Sequence, residues 1–432
     1  MINRKIHNTL LSWKESNINK ALLVKGARQV GKTTSIREFG KQHFKNFIEI
    51  NFEMMPIAKR AFEGNLDAKT IILNLSSMGF GPFEEGKTLV FFDEIQSCPQ
   101  ARTAIKFLVE DGSLKYIESG SLLGINYKDV SSYPVGYEQQ ISMFPLDFEE
   151  FLYANGISTN VMELLKSCYH NKTSVPPFIH EQISALFRQY LVVGGMPEAV
   201  QSFIKEKDLS VVRQIQRNIL NSYRDDIAKY AQSEKHLAKI VFDAIPSQLS
   251  KQNKRFILAD IEKGAAQRKY RDSIEWLVDA GIAYFSFNAG AFDLPFSIYE
   301  KRNLFKLFLL DIGLLCNTMM ADTQFQILQG DTSINQGALM ENYIAAELSK
   351  KEIPLYYYDQ KSRQELDFVF ADQGKISIIE VKSSKNYKRH DSLNNALKKY
   401  PNKIAKSMVF SPYNLEIEDN ITYYPFYMSM FI

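Results

Sequence analysis

The chain has 432 residues, 45% of them hydrophobic and 23% charged, enough for on the order of two to four globular domains, each with its own core. A net charge of only +3 excludes a wholesale nucleic-acid binder and makes any basic footprint a local one. Three scattered cysteines (Cys98, Cys168 and Cys316) read as reduced thiols. The charged start Met1–Ile6 leads into no apolar leader, and no run of about 18 apolar residues occurs. These features predict a cytoplasmic protein with no membrane partner.

The first element is the apolar run Ala21–Val24, which predicts a buried strand. It leads into Gly26-Ala27-Arg28-Gln29-Val30-Gly31-Lys32-Thr33-Thr34, matching G-x-x-x-x-G-K-[ST] at every fixed position, and helix-forming residues follow from Ser35 to Phe39. In this context the two glycines curl the backbone so that its N–H groups face phosphate oxygens. Lys32 reaches the β- and γ-phosphates, Thr33 offers its hydroxyl to Mg²⁺, and the helix N-terminus favours an anion. The strand Thr88–Phe92 ends in two carboxylates. Asp93 is expected in the Mg²⁺ shell and Glu94 as the residue that polarises the attacking water, so ATP and Mg²⁺ are the expected cofactors. A third strand, Leu114–Glu118, ends in Ser119-Gly120-Ser121. Ser119 or Ser121 is placed to sense the γ-phosphate, with a plain strand-to-loop turn as the alternative.

Further segments occur in a familiar order: Phe92–Gln96, Ser119–Ser121, Pro145–Phe151 and Gly194-Gly195-Met196-Pro197-Glu198. Together with the loop at Gly26–Thr34 they resemble the prokaryotic AAA-like, archaeal-type P-loop ATPases that carry a C-terminal domain of unknown function. The similarity runs from about residue 18 to about residue 425. Members of that family carry Gly-Arg before the Pro-Leu-x-Phe segment, where this chain has Gly136-Tyr137. A nucleotide-contacting role for that arginine would be lost here or would pass to Arg28 or Arg102. The resemblance implies a helical lid or connector over residues 151–232, and relatives of this kind are monomers or rings, so a homo-oligomer stays open. Within that stretch Asn221–Asp226 reads as a nucleotide or neighbour contact, or as a solvated helix face.

From residue 233 to 300 the pattern is three short helices and a strand, the outline of a winged helix. Leu237, Ile240, Val241 and Ala244 mark the first helix, Ile257–Gly264 the second and Tyr270–Ala280 the third; Ile282–Phe287 reads as the strand. Lys263, Arg268, Lys269 and Arg271 gather where a recognition helix would meet DNA. The alternatives are protein contacts or a solvated basic face.

Residues 301–432 begin with a strand and turn over Leu304–Leu315. A helix through Leu339–Leu348 follows, with Glu341 on it, then strands at Leu355–Tyr358, Glu365–Phe370 and Ile376–Lys382. Glu380 and Lys382, two apart on a strand, share one face. A hairpin at Asp372-Gln373-Gly374 brings Asp367 beside them. This arrangement resembles the PD-(D/E)xK nuclease-like fold. The resemblance implies a catalytic set of Glu341, Asp367, Glu380 and Lys382, with Asp367 and Glu380 holding Mg²⁺ or Mn²⁺. Lys385, Lys388, Arg389, Lys398, Lys399 and Lys403 add a basic surface suited to DNA or RNA. The competing reading is an inactive scaffold in which the motif survives as a charge cluster. The six histidines form no metal-spaced set. The expected fold class is α/β: a P-loop AAA-like domain over 1–150, the helical connector and winged-helix-like domain, and an α/β nuclease-like domain.

Overall fold

The computed structural model describes residues 2–16, 18–120, 134–230, 235–264, 267–320, 323–330, 336–360 and 364–432. Ser121 therefore lies outside the described residues. The chain divides into two compact units, Met1–Phe144 with Asp279–Gly281, and Pro145–Val278 with Ile282–Ile432.

The first unit is built on five strands: β1 Ala21–Lys25, β2 Asn46–Asn51, β3 Thr88–Asp93, β4 Lys115–Gly120 and β5 Glu138–Ser142. They pair in the order β2-β3-β4-β1-β5, all parallel. Helices Lys32–His43, Ala68–Ser77 and Pro99–Asp111 connect them. A parallel sheet between helices is covered on both faces, which is why β1 and β3 are unbroken apolar runs rather than alternating ones. Phe52, Phe62 and Phe92 pack edge-on and tilted with ring centroids 5.6–5.7 Å apart. In such sheets ligands bind at the carboxyl ends of the strands, where Lys25, Asn51, Asp93 and Gly120 stand.

The second unit opens with helices Phe148–Ala154, Thr159–Asn171, Pro177–Val193, Pro197–Glu206 and Leu209–Tyr230, as the pattern predicted. The Gly194-Gly195 turn is a close-packing point: Leu146 N–H donates to Gly195 O at 2.7 Å, and Gly195 N–H donates to the buried Asp311 Oδ2 at 2.7 Å. Of the Asn221–Asp226 stretch, Tyr223 and Asp226 are buried in the helical layer, and Arg224 pairs with Asp243 at the surface at 2.9 Å.

Helices Lys235–Leu249 and Gln267–Asp279 follow. The expected helix over Ile257–Gly264 is reduced to one 3₁₀ turn at Leu258–Asp260. The chain is pulled into extended form there because Phe256 N–H donates to Phe305 O and Gln248 takes both backbone groups of Ile257.

Eight strands complete the unit: β6 Ala283–Asn288, β7 Lys301–Leu309, β8 Tyr356–Asp359, β9 Glu365–Asp372, β10 Lys375–Val381, β11 Ile404–Ser411, β12 Glu416–Glu418 and β13 Ile421–Pro425. Their order is β12-β13-β11-β10-β9-β8-β6-β7. The strand read as the end of the 233–300 segment is thus β6, an inner strand of this sheet, and the expected boundary after residue 300 falls inside the β6–β7 hairpin. The turn expected around Asp311 is instead the start of a helix, Ile312–Met320. Helix Gly337–Lys350 precedes β8, and helix Asp391–Lys399 links the parallel pair β10 and β11.

Candidate functional site

The phosphate loop lies between β1 and helix Lys32–His43. Gly26 has φ +147° and passes so close to β5's end that a Cβ would sit 2.2 Å from Met143 O, while Gly31 at φ +98° turns the chain into the helix. Arg4, buried, braces the loop from outside by donating to Val30 O at 2.9 Å and Phe144 O at 2.7 Å. Lys32 Nζ donates to Gly26 O at 2.9 Å and Ala27 O at 2.8 Å, cupped by the loop it serves. Burial pulls its pKa down to about 8 against the opposing pull of Glu94 and Asp93.

Asp93 is the hub. Its Oδ2 accepts from Thr33 Oγ1 at 3.1 Å and from Asn51 Nδ2 at 2.9 Å, and its Oδ1 accepts from Ser119 Oγ at 2.5 Å. Strand register brings this about: Asn51 pairs with Asp93 across β2 and β3, and Ser119 sits at the matching level of β4. Glu94 follows in the left-handed region at φ +51°, uncommon for a glutamate, and accepts from Gln96 Nε2 at 2.5 Å. The loop, Lys32, Thr33, Asp93, Glu94 and Ser119 therefore fall in one place. Asn51 and Arg4 were missed. Asn51 was findable only as a polar residue ending an apolar strand, and Arg4 carried no signal.

Arg102 is buried and bound by Glu118 and Glu138, each at 2.5 Å, which leaves it a structural member of the sheet's helical cover. Burial pushes the Glu118 pKa up to about 7 despite Arg102. Tyr137 donates to the exposed Glu110 at 2.5 Å.

In the second unit Glu341, Asp367, Glu380 and Lys382 also come together. The two-residue turn Gln373-Gly374, both at positive φ, sets a register in which Asp367 falls opposite Glu380. Val381 N–H donates to Asp367 Oδ2 at 2.8 Å, and Lys382 Nζ meets Glu380 Oε2 at 2.9 Å. The other Glu380 oxygen is buried without a hydrogen-bond partner among the described residues. Burial and Asp367 together raise the Glu380 pKa to about 8, and burial with Glu341 raises that of Asp367. Glu341 is held by two lysines: Lys254 meets one oxygen and Lys306, 3.5 Å away, the other. Lys306 also meets Glu365 at 2.9 Å. Among the described residues no group of three or more His, Cys, Asp or Glu side chains is arranged to hold a metal ion. Lys306 is visible in the sequence only as an interruption of an apolar run.

Several expected basic footprints are partly neutralised within the unit. Lys269 pairs with Glu262 and Arg271 with Glu275, both at 2.8 Å, while Lys388 pairs with Glu418 and Lys403 with Asp293, both at 2.9 Å. The three cysteines are buried and free. Among the described residues no helix is long and apolar enough to cross a membrane.

Residues 18–152 match the family described as AAA domain. Residues 184–324 and 336–428 match two families described as domains of unknown function, DUF8612 and DUF4143. The first unit is thus a P-loop ATPase-like domain on a parallel sheet. No curated protein matches. Among solved structures, the Walker-type ATPase PABY2304 of Pyrococcus abyssi is similar at 15% identity, covering 74% of this chain and 96% of its own, with a TM-score of 0.46. The Aeropyrum pernix Orc1 protein, solved in complex with DNA, is similar at 12% identity over 75% and 92% of the two chains, with a TM-score of 0.28. The Thermotoga maritima RuvB Holliday junction branch migration motor is similar at 14% identity over 65% and 89%, with a TM-score of 0.30.

Proposed function

We propose that this protein binds ATP with Mg²⁺ in its first unit and hydrolyses it, and that its second unit handles nucleic acid. The observation that carries the first half is the convergence of Thr33, Asn51 and Ser119 on Asp93 beside Lys32 and Glu94. The donor set fits the metal: a hydroxyl and a carboxylate 3.1 Å apart are oxygen ligands of the kind Mg²⁺ takes, and Asp93 already collects hydrogen bonds that fix its orientation. Mg²⁺ supplies charge neutralisation at the phosphates. The chain's own work is to cradle those phosphates with the loop N–H groups, to hold their charge with Lys32, and to orient water with Glu94.

Two arrangements support the second half. Helix Lys235–Leu249, the bridge from Phe256 to Phe305, helix Gln267–Asp279 and the β6–β7 hairpin follow one another as in a winged helix. Helix Gly337–Lys350, the antiparallel β8-β9-β10, helix Asp391–Lys399 and the parallel β11 follow the order of a nuclease-like fold, with Asp367, Glu380 and Lys382 at its motif. A second reading draws on the same cluster. Lys254 and Lys306 already compensate the charge of Glu341, which favours a catalytically inactive nuclease-like fold in an ATP-dependent switch for protein partners.

One experiment separates them. ATP turnover is measured with and without single- and double-stranded DNA and RNA, beside a Mg²⁺ or Mn²⁺ cleavage assay. Stimulated turnover, with nicking that disappears in Glu380→Ala or Lys382→Ala, is the result the first reading requires. Unchanged turnover and intact nucleic acid leave the switch reading standing.

A further inference from the structure

The β6–β7 hairpin has two chemically different faces. Ser286 and Lys306 are partners across it, and Lys306 points into the buried carboxylates. On the opposite face Phe287 pairs with Phe305 and Phe285 with Leu307. There the Phe285 and Phe287 rings stack with centroids 4.8 Å apart at 22°, and Phe305 meets Phe285 edge-on at 5.4 Å. Neither Phe285 nor Phe287 is fully covered. They floor a cleft of about 370 Å³ between the hairpin and helix Gln267–Asp279. Its rim carries three exposed guanidinium groups: Arg268 and Arg271, three apart on one helix face, and Arg302 from the start of β7.

Resting on the nucleic-acid reading above, we infer that this cleft binds a single strand, its unpaired bases stacking on Phe285 and Phe287 and its phosphates meeting Arg268, Arg271 and Arg302. The argument is one of complementarity. Aromatic rings inside a cationic cleft match a chain that offers flat apolar faces at regular spacing along a polyanion. In a duplex those faces are stacked on each other and out of reach, so an aromatic floor favours unpaired bases. Arg271 and Arg302 are held by Glu275 and Glu300, at 2.8 Å and 2.7 Å. Arg271–Glu275 is a surface pair, which exchanges readily for phosphate because it contributes little in water, and the Arg302 side chain is itself 72% exposed while Glu300 keeps a second donor in Tyr356 at 2.8 Å. Arg268 makes no ion pair among the described residues.

The test uses the full chain with a fluorescein-labelled single-stranded oligonucleotide and the same sequence as a duplex, read by anisotropy. The variants are Phe287→Leu, which keeps apolar volume but removes the ring, and Arg302→Glu, which sits at the surface. Both are expected to keep the wild-type melting temperature and basal ATP turnover. The single strand is expected to bind about tenfold more tightly than the duplex, and each variant to weaken it about tenfold. Duplex binding as tight as single-strand binding, untouched by either variant, overturns the inference while leaving the nucleic-acid reading intact. No binding of either oligonucleotide removes both.

Discussion

The Ser119 hydroxyl donates to Asp93 Oδ1 at 2.5 Å, joining the ends of β4 and β3 at the point where the γ-phosphate and its metal are expected. A hydrogen bond to a charged acceptor contributes about 1.5–3 kcal/mol. Ser119→Ala therefore lets the Asp93 carboxylate drift while the loop that binds phosphate is untouched. Steady-state kinetics should show kcat lowered about tenfold or more with KM for ATP little changed. An unaltered kcat would reduce Ser119 to a strand-end residue.

Lys32→Ala and Glu94→Gln divide binding from turnover. Removing the ammonium should abolish ATP binding by calorimetry. Glu94→Gln should bind ATP but hydrolyse it about 10²–10⁴-fold more slowly, the usual contribution of a positioned base. Normal hydrolysis by Glu94→Gln would mean another group orients the water.

Arg4 is an expected positioning residue. Arg4→Ala strips its donors from Val30 O and Phe144 O in a buried place. Unfolding free energy should fall by about 1–3 kcal/mol in urea titrations, and ATP affinity should fall with it because the loop loses its brace.

Glu118 links the first unit to pH. Its folded pKa of about 7 lies above the ordinary 4.5, chiefly through burial. Between those values the folded protein holds a proton that the unfolded chain has released. The stability contribution is therefore complete below pH 4.5 and is lost as pH rises through about 7. Glu118→Gln cannot ionise, so this slope should vanish. The difference in unfolding free energy between variant and wild type should move in the variant's favour by roughly 1–3 kcal/mol from pH 5 to pH 8. Parallel urea curves at each pH for both proteins give the answer, and an identical pH dependence would refute it.

Lys306 tests the ion cluster of the second unit. It is buried between Glu341 and Glu365. Lys306→Met leaves Lys254 alone with Glu341, and breaking a buried pair from one side costs about 3–5 kcal/mol. Adding Glu341→Gln should recover part of that loss in thermal unfolding. A single variant as stable as wild type would mean that the cluster is not a structural tie.

The sequence by itself determined the phosphate loop, the Asp93-Glu94 strand end, and the alternation that puts Glu380 and Lys382 on one face. Each depends on the local geometry of a strand, a turn or a helix start, which a few consecutive residues dictate. The register of Asp367 against Glu380 was legible for the same reason, since a two-residue turn sets it. What only the tertiary structure decided joins residues far apart along the chain. Arg4 meets Val30 across 26 positions, Asn51 meets Asp93 across 42, and Lys306 and Lys254 reach Glu341 across 35 and 87. No periodicity encodes such pairings, because they arise when separate elements bury their polar groups together and each buried charge must find a partner. The missing helix at Ile257–Gly264 has the same cause: a long-range strand contact at Phe256 overrode a local pattern.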